Sequence, residues 1–372
     1  VIESRGLGDV YKRQHRHNRM WAGMNSWFRL TKPGVVILLQ ITAISAVVVH
    51  DLMSEARPPL GHTLEASLIT LVGGYLTAGG SNAINMWYDK DIDPMMKRTS
   101  SRPVPLGEIK SGHALLFGIS ISILGIVWFT LMAGQVAAFW ATFSILFYVF
   151  VYTIWLKRRT VQNIVIGGLA GSTPPLIGWF VAMGPRDLDL HSMNGFLVSI
   201  TDTGSLVPFY MLGVIFLWTP PHFWALALYK SDEYRQVGVP MLPWVKGSAR
   251  TLAEMRLYGI LLLVISLWGP YLIHSGDFSM EYLVLQIGSA LIALWYIRTL
   301  FLINADEVKD ENGRLPSAAR SFWVSQLFLG LVFLMALAAV SNFAGMVVGL
   351  TLSMAVILRS EKKYRSSGFP FS

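Results

Sequence analysis

The sequence predicts an all-α integral membrane protein with about nine transmembrane helices. Of its 372 residues, 53% are hydrophobic and only 14% are charged, where a soluble domain carries about a quarter. Apolar runs of about 20 residues, the length that spans a bilayer, recur along the chain. Basic residues crowd into alternate short loops between those runs, the asymmetry that orients membrane proteins. The formal net charge of +8 is explained by those loops, so nucleic acid is not expected as a partner. The lack of cysteine excludes disulfides, thiolate metal ligands and a thiol nucleophile.

The opening stretch, VIESRGLGDVYKRQHRHNR, is basic and polar and holds neither an apolar core nor a cleavage signal. VIESRGLGDVYKRQ resembles translated sequencing-adapter sequence. A native start is therefore expected at Met20 or Met24, and residues 1–27 are expected to stand apart from the fold as a disordered or artefactual segment. The first span then serves as the membrane anchor.

Spans are predicted at roughly 33–50, 65–86, 113–133, 136–156, 161–183, 206–228, 252–273, 281–303 and 321–340, within an intramembrane domain over 28–340. The 33 glycines and 17 prolines suit packed membrane helices, where small residues allow close approach and prolines are tolerated. The fifth span shows this most clearly, with Asn163, Gly167, Gly168, Gly171 and Thr173-Pro-Pro175 as a packing face. A last apolar run, Phe343 to Leu358, is open between a short tenth span and an interfacial segment of the 341–372 tail.

Loop charge sets the orientation. The loops after spans 2, 4, 6 and 8 hold Lys90, Lys97, Arg98, Arg102 and Lys110; Lys157, Arg158 and Arg159; Lys230, Arg235, Lys246 and Arg250; Lys309 and Arg314. The opposite loops are nearly bare, with Arg57 and Arg186 as exceptions. The even loops and the N-terminus are expected on the cytoplasmic side of a bacterial-type inner membrane. Nine spans would leave the basic tail Arg359–Arg365 on the wrong side, unless the tenth run crosses.

The most informative stretch is NAINMWYDKDIDPMMKRTSSRP, from Asn82 to Pro103. It sets three aspartates within five residues at the mouth of an apolar span. Asn85, Asp89 and Asp93 are spaced i, i+4, i+8, so on a helix each is turned only about 40° from the last. Such a stripe is costly at a membrane helix end unless positive charge sits against it. Mg²⁺ fits, since it is held by one or two carboxylates plus substrate phosphates, and Lys97, Arg98 and Arg102 can grip the remaining phosphate oxygens. A metal–diphosphate site is the first hypothesis, against the plain alternative of solvated boundary charges.

A weaker echo ends the sixth span: Tyr229-Lys-Ser-Asp-Glu-Tyr-Arg235, with Asp232, Glu233 and Arg235 as a second candidate site. Two facing acidic groups can clamp a diphosphate from both sides. The loop after span 4 offers Lys157 or Arg158 to the same phosphates. Inside span 6 lies Trp218-Thr-Pro-Pro-His-Phe-Trp224, where two prolines open the helix around His222. His222 offers three roles: ligand to a haem iron, hydrogen-bond partner of a propionate, or proton carrier. Trp218, Phe223 and Trp224 are candidates to shelter cations with their ring faces.

Asn85-x3-Asp89-x3-Asp93 followed by Arg98-Thr-x2-Arg102-Pro103 resembles the first signature of the UbiA-type intramembrane prenyltransferases. Within that superfamily, WTPPHFW at 218–224, DEYRQVGVPMLP at 232–243, Thr31-Lys-Pro33 and the LKRRT…NIVIGG…AGSTPPLIGW run at 156–179 resemble the protohaem IX farnesyltransferase (haem O synthase) branch. The resemblance covers about residues 28–340 and implies a UbiA-type helical bundle. It implies farnesyl diphosphate and haem b as substrates, Mg²⁺ as the ion, and haem A synthase or terminal-oxidase assembly proteins as partners. It places metal and diphosphate on Asn85, Asp89, Asp93 and Asp232, phosphate contacts on Arg98 and Arg102, and the family's histidine on His222. One departure stands out: other branches complete the second motif as DxxxD, whereas Gln236 stands four after Asp232 here, with Glu233 as the paired acid. Two other functions fit the residues: prenyl transfer to an aromatic quinone precursor, and transport of haem or a divalent cation.

Overall fold

A computed structural model describes residues 23–273, 279–310, 314–341 and 343–367. The expectations for residues 1–22 fall outside the described residues. Lipid leaves backbone groups no water to bond, so spanning segments close their own hydrogen bonds as helices; among the described residues the regular structure is helical.

A short helix over 23–30 comes first. Ser26 and Arg29 on it both bond Glu108, so ordered packing reaches back past the boundary expected at residue 28. The chain turns at Lys32 (φ 51°, ψ 62°) into α1 (Pro33–Met53), where Pro33 fills the first turn and gives up no helical bond. Next comes α2 (Leu60–Tyr88), followed by two tight 3₁₀ turns, Asp89–Asp91 and Asp93–Met95. α3 (Ser111–Leu146) runs on into a π-helical segment, Phe147–Leu156. The succession continues with α4 (Asn163–Ser172), α5 (Pro174–Ala182), α6 (Met193–Thr201), α7 (Val207–Tyr229) and α8 (Ser231–Gln236). It ends with α9 (Leu242–Ile273), α10 (Met280–Phe301), α11 (Pro316–Val340) and α12 (Phe343–Ser367).

Among the described residues, eight helical stretches are long and apolar enough to cross a membrane. One of them, Ser111–Leu156, is two spans joined at Gly134 (φ 86°), a backbone angle that favours glycine. There a Cβ would also lie 2.4 Å from the Arg186 amide nitrogen. α4 and α5 make one span broken at Thr173-Pro174. α2, at 29 residues, is a further span whose glycines and polar residues lower its hydropathy. All nine expected spans are thus helical.

Small residues decide how closely the helices approach. A Cβ on Gly80 of α2 would fall 2.1 Å from Ser122 Oγ and 2.7 Å from the Gly118 carbonyl oxygen of α3. A Cβ on Gly178 of α5 would fall 2.2 Å from the Ala43 carbonyl oxygen of α1. These backbone contacts draw the first half of the bundle together around buried Val47, Phe129, Leu176 and Phe180. A larger core, with Trp224, Tyr296 and Phe328 fully buried, joins α7, α9, α10 and α11.

The last apolar run resolves into a helix antiparallel to α11. Gly349 packs on Ala338, and Ser353 lies beside Met335. At the far end Glu361 accepts from Arg320 at 2.7 and 2.9 Å and from Trp295 Nε1 at 2.9 Å. The Tyr364 ring lies 3.8 Å from the same guanidinium. Arg320 stands at the start of α11, so the basic tail returns to the end of the bundle where α2 and α7 finish.

Candidate active site

The expectation of a single helical face for Asn85, Asp89 and Asp93 is corrected by the structure. α2 ends at Tyr88, and Asp93 sits two tight turns later. Pro94 is the physical reason: it lacks an amide hydrogen, and it disfavours the α conformation in the residue before it. Thr99 Oγ1 donates to the Asp93 carbonyl at 2.8 Å and pins the turn. The three side chains nonetheless converge, with exposures of 3% for Asn85, 0% for Asp89 and 2% for Asp93.

Buried carboxylates need compensation, and here each has a cation. Arg102 Nη1 donates to both oxygens of Asp93, at 2.7 and 2.9 Å. Lys157 Nζ pairs with Asp89, and Arg158 lies 3.4 Å from the other Asp89 oxygen. Arg158 also grips exposed Asp91 through two contacts of 2.7 Å, and these hold the Asp91 carboxyl below the usual carboxylate range. The π-helical segment makes this possible: the Lys157 amide bonds back five residues to Tyr152 at 2.9 Å. The wider turn brings Thr153 within 3.1 Å of Asn85 Nδ2 and Lys157 onto Asp89. Gly167 of α4 seats that segment, since a Cβ there would lie 2.3 Å from the Tyr152 ring.

Sequence reasoning missed Lys32 as a site residue. Its ammonium donates to Asn85 Oδ1 at 2.6 Å, aimed there by the left-handed backbone just before α1. Burial, and then the neighbouring Arg102 and Lys157, hold its pKa well below the ordinary lysine value; burial lowers that of Lys157 too. The available signal was a lysine directly before the proline that opens a span at the acid-bearing end. Arg98 is exposed at the rim.

The second motif packs onto the first. Tyr234 of α8 is buried in a cluster with Ile92, Met96 and Tyr152. The side chains of Asp232 and Glu233 lie outside the described residues; Arg235 is exposed. Among the described residues no three acidic or imidazole groups gather as a cage for a metal ion. The donors present are two carboxylates and an amide, all hard oxygens. That set fits an ion bound through one or two carboxylates and completed by phosphate oxygens, and it suits Mg²⁺ better than a soft metal.

His222 stands one residue from Phe223, which packs on the same cluster as Ile92 and Tyr152. The imidazole is stacked between Trp218 (centroids 4.2 Å apart) and Phe322 (4.7 Å), with Phe223 edge-on at 5.2 Å. Its Nδ1 lies 2.6 Å from Ser325 Oγ. Gly168 lets α4 approach α7 at Thr219, beside the proline pair. Trp224 does not join this group. It packs edge-on against Tyr258 of α9 at 5.7 Å, about 200° around α7 from His222.

This geometry has counterparts in known proteins. The family model described as the UbiA prenyltransferase family matches residues 44–315. The chain belongs to the UbiA prenyltransferase family. Among its relatives is a protoheme IX farnesyltransferase of Beijerinckia indica, 39% identical over 84% of this chain and 87% of that protein. Another, from Symbiobacterium thermophilum, is 45% identical over 64% of this chain and 72% of that protein. A solved digeranylgeranylglyceryl phosphate synthase shares the fold with a TM-score of 0.61 at 18% identity, covering 86% of this chain and 99% of that one. A UbiA homolog from Archaeoglobus fulgidus, solved with GPP and Mg²⁺, does so at 0.55 and 16% identity, over 85% and 100%. The UbiA bundle expected from the motifs is the fold observed, and within the family the nearer relatives carry the haem-branch name anticipated from WTPPHFW.

Proposed function

We propose that this membrane prenyltransferase transfers the farnesyl group of farnesyl diphosphate to a vinyl group of haem b, with addition of water. The observation that carries this reading is one end of the bundle where Asn85, Asp89 and Asp93 are buried against Lys32, Lys157, Arg158 and Arg102, beside an aromatic-boxed histidine. Relatives named for the same transfer support the choice of acceptor.

Asn85, Asp89 and Asp93, with Asp232 from the second motif, would hold Mg²⁺, which supplies positive charge to the diphosphate as it departs. Lys32, Lys157, Arg102 and rim residue Arg98 face the phosphate oxygens and stabilise the charge that develops there. The farnesyl C1–O bond breaks, and the terminal vinyl carbon of haem forms a bond to C1. The cation left beside the pyrrole takes up water and releases a proton, giving a hydroxyethylfarnesyl side chain. Trp218, Phe223 and Phe322 present ring faces and edges to that chemistry. The basic end faces the cytoplasm of a bacterial inner membrane, and haem A synthase or terminal-oxidase assembly proteins would receive the product.

Mass spectrometry of haem recovered from cells expressing the chain is the decisive test. A gain of one farnesyl group plus one water is the expected result. Unmodified haem alongside a prenylated aromatic acid would overturn the acceptor, and movement of haem without diphosphate release would point to a transporter. Removing the charge at Lys32 should raise KM for farnesyl diphosphate by roughly tenfold or more, the value of a charged hydrogen bond. Steady-state kinetics of Lys32→Met against Lys32→Arg check this, and equal KM values would remove Lys32 from the diphosphate site.

A further inference from the structure

Three tryptophans mark the end of the bundle opposite the acids. Trp128 and Trp140 lie six residues to either side of Gly134, where the long α3 stretch turns back, and Trp179 lies three residues before the end of α5. Each indole donates to a backbone carbonyl at 3.0 Å: Trp128 to Ile69, Trp140 to Ile200 and Trp179 to Thr203. Tryptophan collects where a span meets water, because its ring is apolar while its N–H seeks a partner. At the helical rise per residue, Trp140 stands about 9 Å inside the Gly134 turn. Two of the three belt residues therefore hold the end of α6, at Ile200 and Thr203, to that depth.

α6 has nine residues, about 13 Å of helix, and is too short to cross a bilayer. It lies along the flank of α3, with Phe196 edge-on to Phe139 at 5.5 Å and Ile200 buried. Its other side is apolar as well. Met193 and Leu197, about 40° apart on the helix, are 74% and 48% exposed, and Val198 is 49% exposed. A helix that is apolar on opposite sides needs cover on both, and α3 supplies only one. At a similar depth Leu131 and Met132 are exposed on α3, a span with lipid around it.

Charge is kept to the two ends of α6. Asp187 is exposed, Asp189 accepts from the His191 amide at 2.9 Å, and Arg186 pairs with Asp202. The same loop serves backbone that lipid would leave bare: the Val136 amide, freed where Gly134 breaks the helix, donates to the Arg186 carbonyl at 3.1 Å.

We propose that α6 is an interfacial membrane helix, with its Met193, Leu197 and Val198 face sunk into the acyl-chain boundary of the bilayer beside α3. The occupant is acyl chain and not an anionic headgroup. Between Gly184 and Leu206 the single Arg186 stands against Asp187, Asp189 and Asp202, so no basic patch draws negative lipid. Seated there, α6 ties α3 to α5 through Trp140 and Trp179 and covers the end of the bundle from the side.

The chain has no cysteine, so a single introduced cysteine can carry a nitroxide without further change. The test uses the full chain in phosphatidylcholine vesicles, labelled at Met193→Cys, Leu197→Cys, Asp187→Cys or His191→Cys. All four positions are exposed, so the label displaces no packed side chain. Power-saturation electron paramagnetic resonance compares collisions with oxygen, which concentrates among acyl chains, against collisions with a water-soluble nickel chelate present on both sides. The oxygen-to-nickel ratio should be severalfold higher at positions 193 and 197 than at 187 and 191, and it should be the same in phosphatidylglycerol. Equal ratios at all four positions overturn the proposal. Dipolar broadening between Leu197→Cys labels, the sign of a second copy covering the face, overturns it too. Burial that appears only in the anionic lipid does the same, because headgroup charge would then be holding the helix.

Discussion

Replacing Asp93 by alanine is expected to lower farnesyl transfer by about a thousandfold or more, beyond the loss of a single transition-state donor. The carboxylate is 2% exposed and takes both contacts from Arg102, so its removal strips one oxygen pair from the proposed metal set. It also leaves a guanidinium without its anion in a mostly buried place, which costs about 3–5 kcal/mol when a pair is fully buried. Asp93→Asn separates the two effects: it keeps the shape and removes the charge. Activity should fall nearly as far as in the alanine variant while the melting temperature stays closer to wild type. Normal turnover in both variants, measured in purified protein, would rule out the metal role.

The second large effect concerns packing. Gly178→Ala should destabilise the bundle by about 3 kcal/mol or more, at or above the upper end for overpacking. The added carbon would lie 2.2 Å from a backbone oxygen of α1, and a backbone atom has no rotamer to escape into. α1 and α5 must part, and α1 is the helix that carries Lys32 at its start. Gly171→Ala, on the same broken span with nothing within 4 Å of the added carbon, should melt like wild type. Thermal unfolding followed by tryptophan fluorescence compares the two, and equal melting temperatures would contradict the close approach of α1 and α5.

Much of this was legible in the sequence, because lipid imposes a length and a composition that short-range pattern reading detects. The nine spans, and the meeting of the basic loop after span 4 with the acid-bearing end of α2, follow from runs of apolar residues and loop charge, whereas the side chains of Asp232 and Glu233 lie outside the described residues. The single helical stripe did not survive, because spacing alone cannot register that Pro94 ends the helix while tight turns still deliver Asp93 to the same place. Lys32 was hidden for a different reason: its role depends on a left-handed turn that carries it to a helix distant in sequence. Trp224 was misplaced because an aromatic-rich motif does not say which ring faces the cavity; two residues along a helix is the opposite side. Ser325 lies over a hundred positions from His222, and no local pattern connects them.

The ion pairs at the acidic end have a bearing on how the site fills. A bare divalent ion arriving there meets carboxylates whose charge is already answered by lysine and arginine, so it must displace a cation to gain its own contact. A diphosphate arriving with it offers the evicted ammonium and guanidinium groups new anions at once. Loading of the proposed metal–diphosphate site is then a swap of counterions in which little charge is ever left bare, and metal and donor are best accepted together.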